Sequence, residues 1–389
     1  MNRKDVCYAI YTRLLKHFPE KPWEKSVLKL GKNPNVSKIG ENLISYGLYL
    51  LEIKDFEKYD EYDHNAVSDA TLYTAKMIEF YEELQPGEQA SFKARWEAAF
   101  FASNDMRALS FEIFVYYALK SCGWDVEHKD NSTAGETYDY LASRRGGNIQ
   151  VECKSFSYDK GLIINNKEAS ELANKILCSL SVENNEKEIH IINLKISKRL
   201  PDDSVHLAEL YTEICDRVNS CHNFHDDRFS IAVCHHVDAP DMLGRVNSII
   251  PIKSDEIEML YIEPENRESK NRIILRITTV ISNSFWREFE KICKDAVKNQ
   301  FKKGMPATLL IHIYNLDSIK KIYGDDKFNN KIKNIFKHDN IYSVVLVSNT
   351  GVYEDADYPY LIFRPMIKEF YNNNFVFKAP GKIFSCSKR

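Results

Sequence analysis

Residues 148–154 read Asn148-Ile149-Gln150-Val151-Glu152-Cys153-Lys154 and continue into Ser155 and Phe156. Apolar and polar side chains alternate here with the period of a β-strand, in which successive side chains point to opposite faces. Ile149, Val151 and Cys153 then share an apolar face, and Gln150, Glu152 and Lys154 share the other. An acid and an amine two residues apart on a strand stand about 7 Å apart at the backbone. Both can therefore converge on one bound cation and one attacking water.

Just upstream, Arg144-Arg145-Gly146-Gly147 reads as a hairpin turn, and Thr137-Tyr138-Asp139-Tyr140-Leu141 as the strand before it. Paired strands lie about 4.8 Å apart, so Asp139 approaches Glu152 if the register allows. Carboxylates that close repel each other unless a cation lies between them. Hard oxygen ligands favour Mg²⁺ or Mn²⁺ over zinc. Asp125, Asp130 and Glu136 are competing acids nearby. Glu112 is the third acid, the only charge between Arg107 and Lys120 in an otherwise apolar helix. A carboxylate there needs a cation or donor to face, unless it lies on a solvated stripe beside water or Arg107.

Helical periodicity covers residues 6–18, 39–51 and 70–84, and predicts an N-terminal helical domain over residues 1–95. The acidic stretch 52–63 reads as solvated surface or linker. Helices follow at 88–102 and 105–121, then strands at 124–128, 137–141 and 148–156, a helix at 167–180 and a strand at 188–196. Residues 96–205 are thus expected to form the central α/β core, and 206–389 a C-terminal α/β region that regulates, binds substrate or extends the sheet.

The succession of a helix with Glu112, a strand, a strand with Asp139, a hairpin, a strand with Glu152-Cys153-Lys154, a helix and a strand resembles the core of the PD-(D/E)xK nuclease superfamily. The likeness spans roughly residues 105–197, and Tyr138 stands where the family often has proline. It implies a restriction-endonuclease-like mixed sheet flanked by helices, and a Mg²⁺-dependent deoxyribonuclease in which Mn²⁺ can substitute. By this resemblance Asp139, Glu152 and the main-chain carbonyl of Cys153 hold the metal. Lys154 orients the attacking water, and Glu112 helps hold the metal's water shell, a second ion or Lys154. The resemblance further implies a DNA substrate, a dimer or higher homo-oligomer or a partner protein, and a place in prokaryotic restriction or anti-phage defence. The alternatives are a catalytically silent nucleic-acid-binding or assembly module, and an RNA- or structure-specific nuclease.

Arg144 and Arg145, in the turn, are candidate nucleic-acid contacts. Gln150 is either a contact to metal-bound water or phosphate, or an ordinary polar strand residue. Lys291, Lys294, Lys298, Lys302 and Lys303 fit one basic helix face, which could bind phosphates or simply be solvated. Cys221, His222, His225, Cys234, His235 and His236 do not follow a zinc-finger spacing and are read as unliganded. A net charge of −3 offers no global attraction to nucleic acid, so any such surface must be local. The first twenty residues lack a signal-peptide pattern, no apolar run is long enough to span a bilayer, and nine scattered cysteines suggest reduced thiols. A cytoplasmic protein is expected.

Overall fold

A computed structural model describes residues 3–29, 42–101, 103–129, 138–157, 162–180, 188–220, 222–237, 256–262, 272–280, 283–314, 322, 326–354, 361–378 and 380–384. The chain is α/β and divides into two compact units, Met1–Phe156 with Lys291–Arg389, and Ser157–Glu290. The expected boundaries at 95 and 205 do not coincide with this division.

The first unit begins with helices α1 (Arg3–His17), α2 (Pro22–Leu28), α3 (Leu43–Ile53), α4 (Glu61–Glu83), α5 (Pro86–Ala99) and α6 (Ser103–Ser121). Pro86 opens α5 where its missing N–H costs nothing, and the Gln85 N–H is met by Glu88. Gly123, at φ +81°, lets the chain leave α6 in the left-handed region. The acidic stretch is only partly solvated. Asp60 caps α4 through the Asp63 N–H, and Asp63 is buried against Tyr46 and Lys54.

Strands β1 (Asp125–His128), β2 (Tyr140–Arg144) and β3 (Gly147–Ser157) follow in an antiparallel meander. The rest of this unit holds the end of α9 (Asn283–Asp295), then β9 (Ala307–Tyr314), α10 (Asp326–Ile335), β10 (Ile341–Glu354) and β11 (Leu361–Tyr371). Its sheet has the order β1-β2-β3-β9-β10-β11. The Gln150 N–H reaches the Pro306 carbonyl, and Ser155 Oγ meets His312 Nδ1 at 3.1 Å. Both chains advance in the same sense between these contacts, so β3 and β9 run parallel. The helix and strand expected beside β3, at 167–180 and 188–196, belong instead to the second unit. Periodicity identifies an element but not its neighbour in the sheet.

The N-terminal helices do not form a domain of their own. Leu14, Trp23, Leu48, Met77, Phe92, Trp96 and Leu109 share one continuous core with Ile149, Val151, Cys153, Leu310 and Val345 of the sheet. The apolar face of β3 is therefore covered by the helical layer. Where α3 meets α4, only glycine fits: a Cβ at Gly47 would stand 2.2 Å from the Ala66 carbonyl oxygen.

The second unit contains α7 (Asn166–Ser179), β4 (Glu188–Ile196), α8 (Ser204–Asn219), β5 (Phe224–His225), β6 (Phe229–Val237), β7 (Glu256–Ile262) and β8 (Arg272–Val280). Its sheet order is β5-β6-β4-β8-β7, with β4 and β8 parallel and the other pairs antiparallel. Leu172 and Ile176 of α7 and Ile214 and Val218 of α8 share its core with Ile192, Leu194, Leu275 and Ile277. Among the described residues no helix is long and apolar enough to cross a membrane.

Gly47→Ala should destabilise the first unit by about 1–3 kcal/mol, the usual cost of overpacking. Urea unfolding read by tryptophan fluorescence checks this. An unchanged midpoint would mean that α3 and α4 do not approach as closely as described.

Candidate active site

Strand alternation and hairpin register together build the site. The β2–β3 ladder pairs Tyr140 with Val151 and ends with Arg144 opposite Gly147. Continued by one residue past Tyr140, this register sets Asp139 opposite Glu152. The Asp139 backbone is held from its other side, where the Lys129 N–H donates to its carbonyl. One carboxylate oxygen of Asp139 accepts the Cys153 N–H at 2.6 Å. Asp139 is 7% and Glu152 only 2% exposed.

Lys154 Nζ stands 2.6 Å from Glu152 Oε1. Burial alone would lower the Lys154 ammonium, but the charge and hydrogen bond of Glu152, with the charges of Asp139 and Asp295, hold it above the usual lysine range. Asp139, Glu152 and Lys154 thus come together electrostatically.

Glu112 is engaged differently. Its two oxygens accept from Arg95 Nη2 at 3.1 and 2.8 Å. This cation comes from α5, the preceding helix. The Glu112 charge, after burial, helps push up the Tyr73 and Tyr140 hydroxyls. Burial, and then Asp139, Glu112 and Glu152 in turn, push the Cys153 thiol up. The charges of all three acids thus act on Cys153, whose side chain belongs to the core shared with the helices.

Gln150 does share the Glu152 face, but it does not project into a binding space. It is fully buried, donates to the Lys302 and Met305 carbonyls at 3.0 and 3.3 Å, and accepts the Lys302 N–H at 2.7 Å. Its place as a nucleic-acid contact gives way to that of a clasp on the chain before β9. The turn arginines are also relocated. Arg144 lies five residues along the strand from Asp139, about 17 Å at the usual strand rise. Its guanidinium stacks on Trp124 at 3.9 Å and donates to the Pro380 and Lys382 carbonyls. Trp124 adds a bond to the Ile383 carbonyl, so this corner fastens the C-terminal segment. Gly381, at φ +85°, admits the guanidinium where a Cβ would stand 2.6 Å from it. Arg145 is exposed at the same distant turn.

Sequence reasoning missed Arg95 and Asp295. Arg95 carries no local signal, because its partner is on another helix. Asp295 is the one acid among the lysines of residues 291–303, and that isolation was a usable cue. Of the competing acids, Asp125 is exposed on β1, while Asp130 and Glu136 lie outside the described residues. Cys221 also lies outside them.

Two buried carboxylates opposed across a hairpin, beside the Cys153 main chain, are a hard-oxygen donor set suited to a divalent cation. Among the described residues no three His, Cys, Asp or Glu side chains are grouped to hold a metal by themselves. The third protein donor would be the Cys153 carbonyl. No family model matches the chain, and no curated protein matches it.

Two outcomes follow. Gln150→Ala should cost about 1–3 kcal/mol, because it leaves backbone groups near Lys302 unsatisfied; a thermal melt unchanged from the parent would contradict the clasp. Lys154, raised when folded, contributes stability that is fully present below its unfolded value of about 10.4 and is lost as pH rises through the folded value. The melting-temperature gap between the parent and Lys154→Met should therefore stay level across the neutral range and close only in strong alkali. A gap that closes near neutrality would show that the ammonium is not held up.

Proposed function

We propose that this chain is a metal-dependent nuclease of the PD-(D/E)xK type that hydrolyses DNA phosphodiester bonds, with restriction or anti-phage defence as its setting. The observation that carries this reading is the opposition of Asp139 and Glu152 across the hairpin, with Lys154 on the Glu152 face. On this reading, Ser157–Glu290 is inserted within the nuclease core, between the Glu-x-Lys strand and the strand beside it.

Asp139, Glu152 and the Cys153 carbonyl would hold Mg²⁺, with Mn²⁺ as a substitute. The cation, when bound, supplies Lewis-acid charge to the phosphate. The remaining work falls to the chain's own groups. Lys154 stays protonated at neutral pH, so its ammonium can orient a water and meet the negative charge that develops on the phosphate oxygens. Lys154 is held beside this donor set by its bond to Glu152, so the ammonium already stands where the phosphate would lie. The Cys153 N–H fixes Asp139, so one ligand is oriented before any metal arrives. Arg95 pairs with Glu112 and fixes its carboxylate in place.

The test is cleavage of supercoiled plasmid, linear duplex, single-stranded DNA and RNA by the purified chain in Mg²⁺, Mn²⁺ or EDTA. Metal-dependent cutting of DNA is expected, reduced at least about 100-fold in Glu152→Gln and in Lys154→Met. Cutting that survives both substitutions removes the site assignment. Cleavage confined to RNA replaces the substrate, and binding without cleavage under every condition replaces the enzyme with a binding module.

A further inference from the structure

The lysine-rich stretch at the end of α9 and beyond meets the Glu152 face of β3. Hydrogen bonds locate it. Gln150, two residues from Glu152 on the same face of the strand, clasps the backbone of Lys302 from both sides and donates to the Met305 carbonyl, while its own N–H reaches the Pro306 carbonyl. The chain at Lys302 and Lys303 is therefore fastened next to Glu152. A π-helical turn, Ala296–Gln300, leads into it, an uncommon geometry found often at functional sites.

Lys291, Lys294, Lys298, Lys302 and Lys303 are all exposed. The single acid of the stretch, Asp295, is bonded to Asn299 at 2.6 Å. Lys294 lies in α9, Lys298 in the π-helical turn, and Lys302 and Lys303 just after it, so these exposed cations all fall within ten residues. Glu152 and Asp139 are buried close by, where a polyanion would meet their negative charge unless cations line its approach. The two turn arginines cannot fill that role, since their turn is at the far end of the strand.

We propose that Lys298, Lys302 and Lys303 form a seat for the phosphodiester backbone of DNA, holding one strand alongside Glu152 and Lys154. This rests on the nuclease reading and specifies how its substrate is held. Contacts of this kind carry no base information and are strongly weakened by salt.

The experiment measures binding of the full chain to a fluorescein-labelled 30-base-pair duplex in EDTA, by anisotropy over a series of salt concentrations. The triple variant Lys298→Gln, Lys302→Gln, Lys303→Gln should bind at least about tenfold more weakly, and its plot of log affinity against log salt should be shallower by about two to three. The triple Lys298→Arg, Lys302→Arg, Lys303→Arg keeps the charges and should bind like the parent, which separates charge loss from any folding defect. Removing three exposed cations from the helical layer and the distant turn (Lys16→Gln, Lys76→Gln, Arg145→Gln) should leave affinity and slope unchanged. Equal weakening in that control, or parental binding by the first variant, overturns the seat. If the parent cuts DNA while the seat fails, the nuclease reading survives without it. If the parent neither binds nor cuts, both fall.

Discussion

Two carboxylates held out of water and opposite each other constrain the whole first unit. Asp139 and Glu152 are both almost fully buried. An ionised group so placed carries a desolvation penalty of several kcal/mol in practice, and like charges so close add repulsion. The fold offsets this with an ammonium on Glu152 and a main-chain N–H on Asp139. Both devices come from β3 itself, so they work in one register only. A slip of one residue would turn Glu152 and Lys154 into the helical layer and bring Cys153 to the site. The apolar packing of Ile149 and Val151 against that layer therefore also fixes the electrostatics on the other face.

That coupling explains which parts of the site were legible in the sequence. Period-two alternation assigns side chains to faces, so the shared face of Glu152 and Lys154 could be read directly from residues 148–154. The opposition of Asp139 needed one further fact, the length of the Arg145-Gly146 turn, which the two glycines signal. What covers each face could not be read. Gln150 has the alternation of a site residue, yet the chain near Lys302 closes over it. Arg144 has the composition of a phosphate contact, yet Trp124 and the Pro380 carbonyl claim it. In both cases a deciding partner lies more than 150 residues away, and Trp124, the nearer partner of Arg144, stands just before β1.

The same limit governs the strand beside β3. A parallel neighbour requires a long connection, commonly a dozen residues or more, but nothing sets an upper length. Loop-closure entropy grows only logarithmically, by about 0.6 kcal/mol per doubling, so a compact unit with its own core can occupy the connection. The second unit has such a core, built from α7, α8 and its own sheet. Reading helix 167–180 and strand 188–196 as the continuation of the first core was locally consistent, because the periodicities are real. Only the hydrogen bonds of β3 to β9 distinguish adjacency in sequence from adjacency in the sheet.

Net charge is a poor guide to local fields for a related reason. The chain's −3 counts buried and exposed groups alike, whereas an approaching ion responds mainly to charges within about a Debye length, roughly 8–10 Å in physiological salt. At the site, Glu152 and Glu112 are already matched by Lys154 and Arg95. Lys302, whose backbone Gln150 clasps, belongs to residues 291–303, where exposed lysines outnumber the single aspartate. One unit therefore holds two opposite local fields. Burial keeps them apart, because Asp139 and Glu152 are almost fully buried whereas Lys291, Lys294, Lys298, Lys302 and Lys303 are exposed.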